Sequence, residues 1–493
     1  MTLYINRCKR IRKAVFCEIM VFSSLLFSFF FLPLVMILYF LAKNEYRNYI
    51  LLVASLFFYA YGEPRFVFVM MGSILLNYFL ALVISKKKNQ RKNIFARNIL
   101  VLDIASNIGI LFIFKYLDFS ISTVNSFFHT DIPLKNIALP IGISFFTFQA
   151  LSYVIDVYRG NVDVQKNPLY LALYISFFPQ LIAGPIVRYS SIERQITDRC
   201  CTFDGFAEGA RRFLLGFGKK VILANNLSVV SAEIFAKDVV TSNPLQLWIG
   251  SICYSLQIFY DFSGYSDMAI GLGKIFGFDF DENFNYPYIS KSVTEFWRRW
   301  HISLGQWFRD YVYIPLGGSR VGIPRHLLNM FLVWALTGIW HGANYTFIAW
   351  GLGYFILLTI EKYFVKPEKR KNVLIKILWQ AFTLLSVNFG WVIFNSSGIR
   401  QGICYCLAML GRYGICATID ADIIRYTREY GIFIAAGILF SMPIAGILKE
   451  KINDNKAARV IAAAIPIGYG FIFLWAVSFL ILGAHNPFIY FNF

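Results

Sequence analysis

Apolar runs of roughly 20 residues, the length that a helix needs to cross a bilayer, recur from one end of this chain to the other. Hydrophobic residues make up 57% of the sequence and charged residues only 15%, whereas about a quarter of the residues in a soluble domain are charged. The sequence therefore predicts an all-α, polytopic integral membrane protein with about 11 transmembrane helices. No stretch is polar enough, for long enough, to form a sizeable soluble domain.

The net charge of +19 does not indicate a nucleic-acid-binding protein, because the Lys and Arg residues cluster in short loops between apolar runs, as the positive-inside rule predicts. The eight cysteines lack the paired C-x-x-C spacing of a metal site, so we expect no metal. The chain also lacks a P-loop, an H-E-x-x-H zinc motif and a G-x-S-x-G elbow. We expect no bound cofactor.

Charge patterning also predicts the ends and the orientation of the chain. We interpret residues 1–19 as a basic extension ahead of a true start at Met20, and residues 20–493 as a single membrane domain. The basic loops at residues 86–97 and 449–459 are predicted to be cytoplasmic, which puts the C-terminal tail outside. These assignments give a multi-pass protein of the cell (plasma or inner) membrane.

Three segments carry features that are unusual at membrane depth. Residues 139–149 and 177–185 contain Pro and Gly within apolar runs, and residues 259–267 contain Gly264 and two carboxylates, Asp261 and Asp267. Irregular backbone inside a bilayer is tolerated only where protein or a water-filled cavity covers it. All three are therefore predicted to be broken or re-entrant helices beside a water-accessible cavity.

The stretch from residue 295 to residue 345 contains the candidate chemistry. Its first half carries Arg298, Arg299, Trp300, His301 and Arg309, and its second half is an apolar helix that carries His341. An ionisable side chain on an apolar membrane segment is a functional candidate by default, so His341 ranks first among the catalytic candidates and His301 second.

A neutral imidazole can take the proton of a hydroxyl group that attacks an activated acyl carbon, which accelerates transfer by roughly 10²–10⁴-fold. In this hypothesis His341 is the base, and His301 either orients the acceptor or stabilises the oxyanion. The nearby arginines would bind the phosphates of a thioester donor, and Trp300 is expected to help bind the substrate. The alternative is that the Arg and Trp residues anchor the chain at the interface and the histidines bond backbone carbonyls.

Long motifs in this stretch carry a resemblance. The segments RRWHISLGQWFRDYVYIPLGG and ALTGIWHGANYTFIAWG resemble the membrane-bound O-acyltransferase family, in particular its bacterial branch of alginate O-acetylation and teichoic-acid D-alanyl transfer proteins. The segments LPIGISFFTFQALSYVIDVYRG, FFPQLIAGPIVR and YDFSGYSDMAIGLGKIFGF extend the resemblance over almost the whole chain. The resemblance implies a ring of helices around a central funnel, with His341 essential and His301 as its partner. Asp261 and Asp267 match a further family motif, which leaves two alternatives open, substrate binding and a purely structural role.

The resemblance further implies transfer of an acyl group, acetyl being favoured, from a cytoplasmic thioester across the membrane for O-acetylation of a cell-surface polysaccharide, as in exopolysaccharide biosynthesis. The expected partners are acetyl-CoA or an acyl carrier protein inside, and an acetyltransferase of the Ser-His-Asp (SGNH) hydrolase type outside. D-alanyl transfer to teichoic acid and peptidoglycan O-acetylation stay open. So does a polysaccharide or lipid transporter without acyl chemistry.

The aromatic C-terminal segment PFIYFNF suggests a further catalytic residue. An aromatic tail on the outer side is typical of an interfacial belt. The alternative is that it folds back towards the histidines, where the Tyr490 hydroxyl receives the acyl group and passes it on. A comparable C-terminal tyrosine is proposed to carry the acyl group in relatives of the D-alanyl branch.

Overall fold

The computed structural model describes residues 20–369, 372–413, 417–444 and 456–483, and Ile489. Every regular element in these residues is a helix, which confirms the predicted all-α class. Within the described residues, six helices are long and apolar enough to cross a membrane, and the predicted total of about eleven stays a prediction. The six are Phe66–Asn89, Asn93–Phe128, Phe203–Phe235, Tyr345–Val365, Val373–Asn395 and Ala464–Ile481.

The chain forms two compact units. One contains the residues up to Leu117 together with Lys135–Cys200, and the other contains Asp118–Leu134 and the chain from Cys201 onwards. The helices as far as Cys200 are α1 (Leu32–Leu41), α2 (Asn44–Gly62), α3 (Phe66–Asn89), α4 (Asn93–Leu111), α5 (Leu117–Phe128), α6 (Ile143–Arg159), α7 (Pro168–Ser176), α8 (Phe178–Leu181) and α9 (Tyr189–Thr197). The predicted single domain over residues 20–493 stays a prediction, and the basic extension at residues 1–19 lies outside the described residues.

The helices after Cys200 make up most of the second unit. They are α10 (Phe203–Gly218), α11 (Asn225–Phe235), α12 (Pro244–Ile275), α13 (Val293–Arg299), α14 (Ile302–Phe308), α15 (Ile323–His341), α16 (Tyr345–Ile360), α17 (Val373–Asn395), α18 (Ile399–Met409), α19 (Ala421–Phe440) and α20 (Lys456–Ile481). Short helical segments with other hydrogen-bond spacing continue or join some of them. They are Phe27–Phe31, Phe112–Tyr116, Lys219–Ala224, Pro287–Ile289, Arg309–Tyr313, Glu361–Val365 and Pro367–Lys369.

The basic loop predicted at residues 86–97 is shorter in the structure. Helix α3 continues to Asn89 and carries Lys86, Lys87 and Lys88 in its last turn, and α4 already begins at Asn93. Cations in a last turn are favoured by the partial negative charge at a helix C-terminus. The lysines therefore extend the helix, and the loop between the two helices is residues 90–92. Its cytoplasmic side stays a prediction.

Two of the three predicted helix breaks are present, both in the first unit. Gly142, at φ 75°, ends an irregular segment immediately before α6. A Cβ atom at Gly142 would lie 2.7 Å from the carbonyl oxygen of Leu181, so only glycine fits this approach between the two segments. Around Pro179 the chain forms only the four-residue helix α8. Whether these segments are re-entrant stays a prediction.

The third predicted break is wrong. Residues 259–267 lie inside α12, a continuous helix of 32 residues. Its glycines allow close packing against α10, because a Cβ atom at Gly264 would lie 2.8 Å from the Gly216 carbonyl oxygen and one at Gly216 would lie 2.5 Å from the Gly264 carbonyl oxygen. Small residues that let helix backbones approach are typical of packed membrane helices. The glycine pattern here marks a helix interface.

A similar glycine contact holds the helix that carries His341. Helices α15 and α16 form a hairpin, in which a Cβ atom at Gly338 would lie 2.5 Å from the Phe347 carbonyl oxygen. The Asn344 side chain caps α16 by accepting the backbone N–H of Thr346 at 3.1 Å. The cap defines the start of α16 and the close contact allows the two helices to pack tightly, and α15 ends at His341.

Candidate active site

His301 lies in the turn between α13 and α14, where the backbone adopts a left-handed conformation at φ 45° and ψ 54°. This conformation is costly for a residue other than glycine and marks a position that the surrounding structure imposes. Helix α13 ends at Arg299, and the turn buries the His301 side chain to 2% exposure. His301 Nδ1 lies 3.2 Å from Asn283 Oδ1.

His341 is the last residue of α15 and is 6% exposed. Its ring lies among three aromatic side chains, with centroid distances of 5.1 Å to Trp340, 5.1 Å to Trp350 and 5.3 Å to Phe394. All three rings present an edge-to-face geometry, the arrangement that aromatic quadrupoles favour. The predicted apolar helix that carries His341 is present, its end at His341 is a finding of the structure, and aromatic rings surround the histidine.

The structure brings the two histidines to the same site. The Trp340 ring contacts both, at 5.9 Å from His301 and 5.1 Å from His341 between centroids. His301 lies outside the six candidate membrane-spanning helices, and burial lowers its pKa well below the usual value, with a smaller contribution from the charge of His341. His301 is therefore neutral at physiological pH, which is the state that accepts protons.

A cavity of about 590 Å³ adjoins His301. Its walls include Trp300 and Thr337, and it extends to Arg298 and Arg309, whose side chains are 71% and 58% exposed. Arg309 pairs with Asp310 at 2.7 Å, and Arg298 lies 3.9 Å from Glu368. A buried base at one end and accessible guanidinium groups at the other suit a long substrate with an anionic head group.

Comparison with known proteins assigns the chain to a family. The sequence profile of the membrane-bound O-acyltransferase (MBOAT) family matches residues 162–374. The probable alginate O-acetylase AlgI of Azotobacter vinelandii is 38% identical over 506 residues, covering 96% of this chain and all of the relative. The chain belongs to the membrane-bound O-acyltransferase family.

Two further relatives support this assignment. The probable alginate O-acetylase AlgI of Pseudomonas putida is 44% identical over 388 residues, or 77% of this chain and 78% of the relative. The peptidoglycan O-acetyltransferase of Helicobacter pylori is 32% identical over 526 residues, or 96% of this chain and 98% of the relative. The protein is thus a multi-pass membrane O-acyltransferase, and the transporter alternative, which lacks acyl chemistry, is set aside.

Other predicted substrate-binding residues of this O-acyltransferase lie in different surroundings. Arg299 does not line the cavity beside His301, and it pairs with Glu295 at 2.9 Å. Trp300 lines that cavity, and its ring also packs at 4.8 Å from Trp391 in the hydrophobic core of the second unit. The structure therefore places Trp300 beside the cavity and Arg299 in a salt bridge. Substrate binding by either residue stays a proposal.

The two carboxylates of α12 are both in salt bridges. Asp261 is 2% exposed and forms a salt bridge of 2.8 Å with Lys220, which is buried to the same degree. Asp267 pairs with Arg212 at 2.9 Å and with Lys219 at 2.6 Å. Neither carboxylate lines the cavity beside His301. Removing one partner of a buried salt bridge typically costs about 3–5 kcal/mol, because the other charge is left buried and unpaired, so a change at Asp261 or Lys220 alone is expected to destabilise the fold.

The predicted acyl-carrying residue Tyr490 lies outside the described residues. The neighbouring Ile489 is described, is 6% exposed and belongs to the hydrophobic core of the second unit. Its backbone N–H donates to Asp261 Oδ2 at 2.8 Å, and the Phe262 ring next to Asp261 packs at 4.6 Å from the His301 ring. Ile489 is thus bonded to the segment of α12 that contacts His301. Because Ile489 is buried, it does not lie in an interfacial belt.

Sequence analysis missed two residues that position the site. Asn283 bonds His301, and the buried Glu361 accepts the backbone N–H groups of Val293 at 2.7 Å and Thr294 at 2.9 Å, at the start of α13. An anionic carboxylate at a helix N-terminus is stabilising. The only available signal for Glu361 was a single carboxylate at the end of an apolar run, and Asn283 gave none, because asparagine is ordinary in loops.

Proposed function

We propose that this O-acyltransferase transfers an acetyl group from a thioester donor at the cytoplasmic face of the inner membrane for O-acetylation of a cell-surface polysaccharide. The relatives of nearly full length support acetyl over other acyl groups, because both are named as O-acetylating proteins. An alginate-like acceptor is favoured by the higher identity, 38% against 32%.

One structural observation carries the proposal. Two buried histidines share contact with Trp340, and one of them lines a cavity that leads to exposed arginines. Acetyl-CoA and an acetylated carrier protein both present a thioester on a narrow arm that ends in phosphate. The thioester would reach the histidines while Arg298 and Arg309 bind the phosphates, because guanidinium groups match phosphate geometry.

The proposed reaction needs a base and a site for negative charge. The acceptor oxygen forms a bond to the acyl carbon, its proton passes to a histidine, and the carbon–sulfur bond breaks to release a thiolate. The imidazolium then returns the proton to the thiolate. The second histidine stabilises the oxyanion of the tetrahedral intermediate, a contribution that is large in a site from which water is excluded. Sequence analysis gives the base role to His341.

Delivery to the polysaccharide would use an acetyltransferase of the SGNH hydrolase type on the outer side. We propose that Tyr490 receives the acetyl group first, since a phenyl ester is a good acyl donor when the leaving phenoxide has a pKa near 10. The bond from Ile489 to Asp261 supports a tail that lies close to the site. Tyr490→Phe removes only the hydroxyl oxygen. Normal acetylation of the exported polysaccharide by this variant would exclude the tyrosyl intermediate.

Acetyl transfer is tested with purified protein in lipid nanodiscs and radiolabelled acetyl-CoA, with thiol release and acetylated product both measured. We expect His341→Ala to lower turnover by roughly 10²–10⁴-fold, whereas His129→Ala, at an exposed histidine, keeps normal turnover. If the wild-type protein turns over only an acyl carrier protein thioester, the proposed donor acetyl-CoA is wrong. If it accepts only D-alanyl thioesters, the proposed acetyl group is wrong. A folded His341→Ala variant with full activity would overturn the site assignment.

A further inference from the structure

Hydrogen bonds determine which way the Asn283 side-chain amide points. The backbone N–H of Ser303 lies 3.1 Å from Asn283 Oδ1. A backbone N–H can only donate, so the amide atom that it meets must be the oxygen. On the other side of the amide, Asn283 Nδ2 donates to Ser266 Oγ at 3.1 Å. The amide orientation is therefore set by a donor that cannot change its role.

This orientation determines the tautomer of His301. Asn283 Oδ1 is also the partner of His301 Nδ1, at 3.2 Å. An amide oxygen only accepts, so Nδ1 must carry the hydrogen. A neutral imidazole has one N–H group, and Nε2 of His301 is therefore the nitrogen with a free lone pair.

Asn283 contacts three consecutive residues, namely His301 through its ring and the two residues that follow it. Its backbone carbonyl accepts the N–H of Ile302 at 3.0 Å, and its Oδ1 accepts the Ser303 hydroxyl at 2.9 Å. Asn283 itself is fully buried. Turning the His301 ring over would break the bond to Asn283, and the left-handed backbone at His301 leaves few alternative positions.

The Nε2 atom of His301 is buried and has no hydrogen-bond partner among the described residues, although His301 lines the cavity of about 590 Å³. Buried polar atoms are nearly always hydrogen-bonded, and exceptions need an explanation. An acceptor hydroxyl that meets the thioester beside His301 would supply the missing hydrogen bond. The other nitrogen, by contrast, is already occupied by the protein.

We propose that Asn283 is a positioning residue that makes His301 Nε2 the proton acceptor of the acyl-transfer step. This inference rests on the proposed acyl-transfer function. The proton of the acceptor hydroxyl passes to Nε2 as the oxygen attacks the acyl carbon, and it leaves with the thiolate when the carbon–sulfur bond breaks. A neutral His301 in this tautomer has no N–H at Nε2 with which to stabilise an oxyanion, so that role falls to His341. The roles predicted from sequence are thereby exchanged.

The tautomer is measured directly by ¹⁵N solid-state NMR of histidine-labelled protein in lipid bilayers. The chain has only five histidines, and loss of one signal in His301→Ala assigns His301. We expect a protonated Nδ1 and an unprotonated Nε2 in the wild type and in Asn283→Asp, and a changed ratio of tautomers in Asn283→Leu. A protonated Nε2 in the wild type would overturn the inference. The spectrum does not depend on turnover. The tautomer of His301 can therefore be measured even if the proposed acetyl transfer is wrong.

Activity measurements distinguish a positioning role of Asn283 from a role in folding alone. We expect folded Asn283→Leu to lose activity to the level of His301→Ala. Asn283→Asp should stay active, with the acidic limb of its pH–rate profile at higher pH, because the new carboxylate favours protonated His301. Asn285→Leu and Asn285→Asp, at an exposed asparagine two residues later, should match the wild type. Full activity of Asn283→Leu, or equal inactivity of folded Asn283→Leu and Asn283→Asp, would contradict the proposal.

Discussion

The two histidines of this site are both packed against aromatic rings, but they differ in their backbone and in the contacts that set their position. His301 sits in an irregular turn with a left-handed backbone, and a hydrogen bond to Asn283 determines which of its nitrogens carries the hydrogen. His341 ends a regular helix, and its ring packs among Trp340, Trp350 and Phe394. Polar contacts specify a protonation pattern, whereas aromatic contacts specify position and exclude water. The two surroundings therefore suit different catalytic roles.

The largest expected effect comes from removing both histidines. If proton transfer and oxyanion stabilisation act in one step, each single alanine variant should lose roughly 10²–10⁴-fold in turnover, and the double variant should lose little more than the worse single variant. Groups that act as a unit show such non-additive losses. Acetyl turnover of the wild type, both single variants and the double variant measures this. Losses that multiply would show that the two histidines act independently.

Glu361 offers a way to disturb the His301 side alone. Its carboxylate accepts two N–H groups at the start of α13, the helix that leads into His301, and also the Trp379 Nε1–H at 3.1 Å. Leaving buried donors without acceptors costs about 1–3 kcal/mol for each group. We expect Glu361→Ala to lower both the unfolding temperature and turnover, and Glu361→Gln to do so less, because an amide oxygen still accepts.

Thermal unfolding in detergent and acetyl turnover measure this effect. The control is Glu429→Ala, at an exposed glutamate away from the cavity, and it should match the wild type in both measurements. If Glu361→Ala unfolds at the wild-type temperature, the carboxylate does not hold the start of α13. If the variant is destabilised but keeps full turnover, the position of α13 does not matter to the chemistry.

His341 could be predicted from the sequence, whereas the residue that positions His301 could not. An ionisable residue on an apolar helix stands out, so His341 and the helix that carries it could be predicted from the pattern alone. Asn283 could not, because its contact with His301 joins two irregular segments, and no periodicity connects positions within loops. Gly264 was misread for a related reason. A glycine in an apolar run fits a helix break or a close helix contact equally well, and only the partner, Gly216, decides between them.

The same difference applies to the other predicted residues, whose types stand out in the sequence but whose partners do not. Arginine pairs near a histidine could be recognised, and Arg298 and Arg309 do line the cavity. The sequence did not show which arginines line a cavity, and the structure places Arg299 outside the cavity, paired with Glu295 one helical turn away. Asp261 and Asp267 were identified as unusual in an apolar run, but their lysine and arginine partners come from the α10 helix and the segment after it.

The smallest expected effect concerns the entrance to the cavity beside His301. Arg298 and Arg309 are more than half exposed, so water and salt screen their attraction for an anionic donor. Each alanine variant should raise the KM for acetyl-CoA by roughly threefold to tenfold with kcat nearly unchanged, because binding to a distant phosphate is the same in the ground state and the transition state. Arg320→Ala, at an exposed arginine that does not line this cavity, is the matched control and should leave KM unchanged.

The salt dependence of KM sharpens this test. Raising the ionic strength should raise KM in the wild type and have less effect in Arg298→Ala and Arg309→Ala, because the screened charge is already absent. A truncated acetyl thioester without phosphates should bind equally to all variants. If either arginine variant lowers kcat and leaves KM unchanged, that arginine acts on the reacting atoms, and the division between a charged entrance and a neutral histidine site is wrong.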